Sequence, residues 1–109
     1  MKDDKVYLHH ILEAIESIEE YLNGFNYESF SKDKKTIDAV VRELQIIGEA
    51  SGRLHAEFGG SHPDIPLRDI RDMRNVLTHE YFGVNAKIVW DTCKADLPKL
   101  KETLKVALG

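Results

Sequence analysis

Between residues 74 and 81 the chain runs Arg74-Asn75-Val76-Leu77-Thr78-His79-Glu80-Tyr81, so a guanidinium, a side-chain amide, an imidazole and a phenol fall within eight residues. An imidazole titrates near neutrality and can take or give a proton. A guanidinium offers phosphate oxygens a planar fork of charge-assisted hydrogen bonds. These are the groups that RNA cleavage by the neighbouring 2′-hydroxyl requires. A base removes the hydroxyl proton, an acid supplies one to the leaving 5′-oxygen, and a cation stabilises the charge that develops on phosphorus. Arg74 suits the cation and His79 the proton carrier, while Asn75 can hold a phosphate oxygen or a ribose hydroxyl.

The spacing limits how these groups can meet. On an ideal helix Arg74 and Tyr81 stand about 20° apart and Asn75 and His79 about 40°, but Arg74 and His79 are about 140° apart. One straight helix therefore does not gather all four, and a pocket that uses them needs a second wall. The same helix from another copy of the chain is the simplest one, since a two-fold axis sets each residue opposite its equivalent. Such a homodimer would also bring together two His79 side chains, one for each proton transfer. No metal is called for.

Upstream, Arg68 and Arg71 continue the three-residue spacing of Arg74 as a basic stripe that could hold RNA phosphates. Asp64, Asp69 and Asp72 lie among them, and arginine–aspartate pairing on a solvated face is the plainer reading of Arg68 and Arg71. His79 also has a plain reading, as a cation favoured at a helix C-terminus, with Tyr81 packing at the turn. Other chemistries find less. His9, His10, His55 and His62 do not give the helical spacing and third ligand of a metal site. No phosphate-binding glycine loop or serine elbow is present. Cys93 is the only cysteine, which excludes an internal disulfide, and its apolar neighbours predict a packed thiol.

The elements that must carry these residues are helical. Val6, Leu8, Ile11, Leu12, Ile15, Ile18 and Leu22 recur at helical spacing, preceded by Asp3 and Asp4 at the start, and predict a first helix ending at the Asn23–Tyr27 turn. A second helix is expected from about Asp33 to His55, with Ile37, Val40, Val41, Leu44, Ile47 and Leu54 on one side. Its small residues Gly48, Ala50, Ser51 and Gly52 predict close packing of another helix, each interior Gly costing roughly 1 kcal/mol relative to Ala. The turn formers of 58–66 read as a loop leading to a third helix over Pro66–Tyr81. Asn85 then caps a fourth reaching about Ala107, which Pro98 should kink near Asp96. No strand pattern, repeat or linker interrupts the chain. The expectation is one domain over 1–109, an all-α up-and-down bundle of four or five helices.

At 109 residues, 42% hydrophobic and 31% charged, the chain has the balance of a globular protein. No apolar run is long enough to span a membrane and the first residues lack a secretory signal's apolar core, so a cytoplasmic location is expected. The net charge of −4 argues against RNA binding over the whole surface, so any RNA contact must be local.

The segment Arg74–Tyr81 matches the R-x4-H-x-Y motif and resembles that of HepT-like toxins in the HEPN superfamily. Ile47-Gly48-Glu49-Ala50, Pro63-Asp64-Ile65-Pro66, Val89-Trp90-Asp91-Thr92 and Asp96-Leu97-Pro98 are similar to the same family. Leu67 stands where the family often has Trp, and Asp72 where Gly is common. The resemblance implies a HEPN-like helical fold, a homodimer formed through helices near the motif, and metal-independent RNA cleavage by Arg74 and His79 without a cofactor. It also implies a partner, a minimal nucleotidyltransferase antitoxin that neutralises the toxin by transferring AMP to the motif tyrosine, here Tyr81. A bulky phosphodiester there would occupy the phosphate site beside Arg74. The competing reading is a helical nucleotide- or partner-binding module without catalysis, to which the acidic net charge and Asp72 point.

Overall fold

The computed structural model describes residues 4–54 and 85–109. All regular structure among them is helical: α1 Asp4–Leu22, α2 Tyr27–Ser31, α3 Lys34–Gly52, α4 Ala86–Asp91, a π-helical turn Thr92–Asp96, and α5 Leu97–Leu108. The expected third helix and the loop before it lie outside the described residues, while the second helix ends at Gly52, short of the expected His55, where the chain turns at Arg53.

In α1, Leu8, Ile11, Ala14, Ile15, Ile18 and Leu22 are buried. Each leucine or isoleucine so enclosed stabilises the fold by about 1.5–3 kcal/mol. Leu12 is only half-buried and Val6 is 40% exposed, which corrects the expectation that both belong to the buried stripe. The reason for Val6 is angular. It precedes Leu8 by two residues, about 200° around the helix, and so falls on the far side.

Asn23 and Gly24 end α1. Gly24 has φ +86°, a left-handed conformation, while the position its Cβ would take is open. Backbone conformation, not space, is what asks for glycine there. The chain then forms α2, a single short helix where only a turn was expected. Asn26 explains it through a reciprocal cap: its Oδ1 accepts from the Ser29 N–H at 2.8 Å, and Ser29 Oγ accepts from the Asn26 N–H at 3.1 Å. The short helix delivers Phe30 to the core, with no exposed surface.

Asp33, near which the second helix is expected to begin, caps α3, its carboxylate accepting from the Thr36 N–H at 3.1 Å. Val40, Leu44, Ile47, Gly48, Ala50 and Ser51 are its buried positions. α1 and α3 make the most extensive pairing among the described elements. Ser51 Oγ donates to the Ile47 carbonyl at 2.8 Å, which accommodates a hydroxyl in an apolar layer. Gly48, Ala50 and Ser51 are enclosed as the expectation of close packing requires, whereas Gly52 is exposed and ends the helix. Leu54 follows outside the helix but stays buried.

Asn85 caps α4 as expected, accepting from the N–H groups of Lys87 at 2.9 Å and Ile88 at 3.3 Å. The break expected near Asp96 is a π-helical turn. The Leu97 N–H donates to the Thr92 carbonyl five residues back, and Pro98 stands in the first turn of α5. An α-helical path would press the Pro98 ring against the carbonyl four residues earlier; a wider turn followed by a new helix start is compatible with it. Val89, Cys93, Leu97, Leu100 and Leu104 are buried along this run. On its surface Lys101 Nζ meets Glu19 Oε1 at 2.8 Å, tying α5 to α1. No described helix is long and apolar enough to cross a membrane.

Candidate functional site

Arg68, Arg71, Arg74, Asn75, His79 and Tyr81 all lie outside the described residues. The structure describes the ground on which their segment begins and ends. On one side is the buried Leu54 beyond α3; on the other is the Asn85 cap. Tyr81 stands four residues before Asn85 in the chain, a stretch that spans at most about 14 Å when fully extended.

The C-terminal anchor is built around Trp90. Its ring centroid lies 5.2 Å from that of Phe30, tilted by 43°, and 6.1 Å from that of Tyr27, edge-on at 61°. These contacts fasten α4 to α2. Such ring pairs add about 0.5–1.5 kcal/mol each beyond the area they bury. Tyr27 and Trp90 remain half-buried, and each carries a cation. Lys87 Nζ lies 4.9 Å from the Tyr27 centroid and Lys94 Nζ 4.9 Å from the Trp90 centroid. At exposed sites a cation–π contact contributes about 0.5–1 kcal/mol. Lys87 also pairs with Asp91 at 3.2 Å, whereas among the described residues no carboxylate pairs with Lys94.

The pattern that brings Lys87, Asp91 and Lys94 to one side of the run is legible in the sequence. The rings are not, because Tyr27 and Trp90 come from helices far apart in the chain and no local rule pairs them. Sequence reasoning therefore misses this cluster, although Trp90 belongs to the Val89–Thr92 segment that carries part of the family resemblance.

Beside it, a cavity of about 300 Å³ opens between the end of α1 and the π-helical turn, walled by Ile18, Leu22, Phe25, Cys93, Leu97 and Pro98, with Glu19, Asn23 and Lys94 among its polar members. Cys93 is free and buried as expected. Burial pushes its thiol up to about 12, and the Lys94 ammonium offsets only part of that. A thiol so placed is protonated at neutral pH and is no nucleophile. His9 and His10 are exposed on α1, and among the described residues no three His, Cys, Asp or Glu side chains group as metal ligands would.

Comparison with known proteins adds to this. The model of a family described as ribonuclease HepT-like matches residues 11–107, a span that contains the whole Arg74–Tyr81 segment. A protein of Thermococcus cleftensis named "Probable ribonuclease HepT" is 48% identical over 100 residues, covering 92% of this chain and 91% of its own. A protein of Caldanaerobacter subterraneus subsp. tengcongensis named as a "Putative RNase" is 43% identical over 108 residues, covering 99% of this chain and 96% of its own. One from Methanocaldococcus jannaschii, named "Gamma-glutamylcyclotransferase and putative RNase", is 45% identical over 103 residues. The match takes in 94% of this chain but only 46% of that larger protein. No solved structure shows a significant match.

Proposed function

The chain belongs to the ribonuclease HepT-like family, and on that premise we propose that it is a metal-independent endoribonuclease toxin, a single HepT-like domain that acts as a homodimer. The observation that carries the reading is the Arg74–Tyr81 segment inside the matched span. One His79 takes the proton of the 2′-hydroxyl as its oxygen bonds to phosphorus. The His79 of the other copy gives a proton to the 5′-oxygen as its bond to phosphorus breaks. The products are a 2′,3′-cyclic phosphate and a 5′-hydroxyl. Arg74 holds the phosphoryl oxygens as their charge grows, and Asn75 positions a phosphate oxygen or ribose hydroxyl. Arg71 and Arg68 hold neighbouring phosphates.

The partner in this reading is a minimal nucleotidyltransferase antitoxin. The Tyr81 oxygen bonds to the α-phosphorus of ATP, its proton passes to a base of the transferase, and pyrophosphate leaves. Tyr81 then carries a phosphodiester anion that competes with RNA for Arg74.

Cleavage of a labelled RNA by the purified chain, against its His79→Ala and Arg74→Ala variants, tests the catalytic half. Undiminished cleavage by both variants would overturn it. A second reading, a binding module without catalysis, is favoured by the net charge of −4. It predicts binding of AMP or of the transferase with no RNA turnover.

A further inference from the structure

The cluster at the junction of α2 and α4 combines two features that single-stranded nucleic acid uses. Half-buried rings offer a face to any base, and lysines beside them offer point charges to the connecting phosphates. Here Tyr27 and Trp90 stand 6.1 Å apart, each with an ammonium 4.9 Å from its centroid. Phe30, fully enclosed, backs Trp90 from within, so the pair is held by the core. The nearby carboxylates do not cancel the cations. Glu28 with Lys32 and Asp91 with Lys87 are both exposed i,i+4 pairs, too weak to keep a lysine from a phosphate. Lys94 has no carboxylate partner among the described residues.

The lysines suit an exchange. A nucleobase stacks on an exposed ring more strongly than an ammonium caps it, and a lysine stem is long and flexible enough to leave the ring for a phosphate. The site is also close to the motif along the chain, since Lys87 follows Tyr81 by six residues, a stretch of at most about 22 Å. With a net charge of −4, RNA affinity has to be concentrated in local patches of this kind.

We propose that the Tyr27–Trp90 ring pair, with Lys87 and Lys94, is a subsite for single-stranded RNA flanking the scissile phosphodiester; this rests on the ribonuclease reading above. In the bound state a base replaces a lysine over a ring, and the released ammonium takes the adjacent phosphate.

Trp90 is the only tryptophan, so its fluorescence reports directly on the subsite. The probe is a short 2′-O-methyl oligouridylate, which lacks the attacking hydroxyl and cannot be cut. Added to the full chain, it should quench Trp90 emission. The double variant Lys87→Gln/Lys94→Gln should weaken its binding roughly ten-fold and reduce the slope of log affinity against log salt by about 1.4, the share of two phosphate contacts. The same variant should raise KM for cleavable RNA more than it lowers kcat. Lys34→Gln/Lys99→Gln makes an equal charge change outside the cluster and should leave quenching intact.

Oligonucleotide binding seen by anisotropy without any change in Trp90 emission would overturn the inference. So would equal weakening by both double variants. If the wild-type chain cuts RNA while the Lys87/Lys94 variant keeps its KM and instead loses binding of the purified nucleotidyltransferase, the cluster is a protein interface and the inference falls alone. A wild-type chain that neither binds nor cuts RNA removes the ribonuclease reading as well.

Discussion

Phe30 and Trp90 meet with ring centroids 5.2 Å apart although sixty positions separate them in the chain. Phe30 comes from a five-residue helix too short to be stable alone, and Trp90 from α4, the first six residues of a helical run that continues to Leu108. α2 is therefore held chiefly by its tertiary contacts, and this ring pair joins it to α4.

Truncating Phe30 should therefore be costly. The side chain is fully buried, and Phe30→Ala should lower stability by about 3–5 kcal/mol, whereas Phe30→Leu, which keeps much of the volume, should cost less than half as much. Urea unfolding followed by circular dichroism measures both. Trp90 emission should shift to the red in Phe30→Ala before global unfolding, as α4 loses its backing.

Two local devices shape the connection from α1 to α2, and they can be tested separately. Asn26→Ala removes one arm of the reciprocal cap and should cost about 1 kcal/mol, while Asn26→Gly should cost only a few tenths. Gly24→Ala meets no steric obstacle but must hold φ +86°, at a cost of about 1–2 kcal/mol. Additive losses in the double variant would be expected if the devices act independently. A shared loss would show that the two form one unit.

The alkaline limb of the stability profile should carry the mark of Cys93. Its thiol ionises near the ordinary 9.0 when unfolded but is held up to about 12 in the fold. Between those values the unfolded chain has lost a proton that the native chain retains, so stability falls as pH rises from about 9 to about 12. Lys101, raised above its ordinary 10.5 first by its hydrogen bond to Glu19, acts with the same sign. Cys93→Ala should flatten the lower part of this limb, and Glu19→Gln its upper part. At pH 8 the native thiol should react with a disulfide reagent only as fast as the chain opens.

At the proposed catalytic segment, His79→Ala should reduce RNA cleavage by about 10²–10⁴-fold. Arg74→Lys should retain less activity than its preserved charge suggests, because it loses the fork. Tyr81→Phe makes the opposite prediction for the two partners. RNA cleavage should persist, but intact mass after incubation with the transferase and ATP should show none of the AMP additions expected on the unmodified chain. Additions on Tyr81→Phe would place the modification elsewhere.

How far these features could be read from the sequence depended on the range of the interaction. α1, α3 and the start of α4 follow from apolar spacing and from the caps at Asp33 and Asn85, which act within four residues. Val6 failed because apolar character alone does not put a side chain on the buried face. α2 escaped because five residues are too few for a period to show, and Asn26 looks the same in a turn as in a cap. Pro98 located an interruption but not its form, since a kink and a widened turn both relieve the same clash. The choice of Arg74, Asn75 and His79 rests on residue types and spacing and that of Tyr81 on the family resemblance, and all four lie outside the described residues. The ring cluster required the tertiary fold.

The π-helical turn also sets phase along the chain. From Val89 to Cys93 to Leu97 the buried residues step by four, and an α-helix would drift by about 40° at each such step. The wider turn takes up that drift, so Leu97, Leu100 and Leu104 continue the inward line begun by Val89. Without the exposed Ala95 the same five side chains would step by four, three, three and four, the spacing of one α-helical face, but Pro98 would then press against the carbonyl four residues back. The turn therefore does two things at once: it gives Pro98 a helix start that it can occupy, and it keeps the five buried side chains on one inward line.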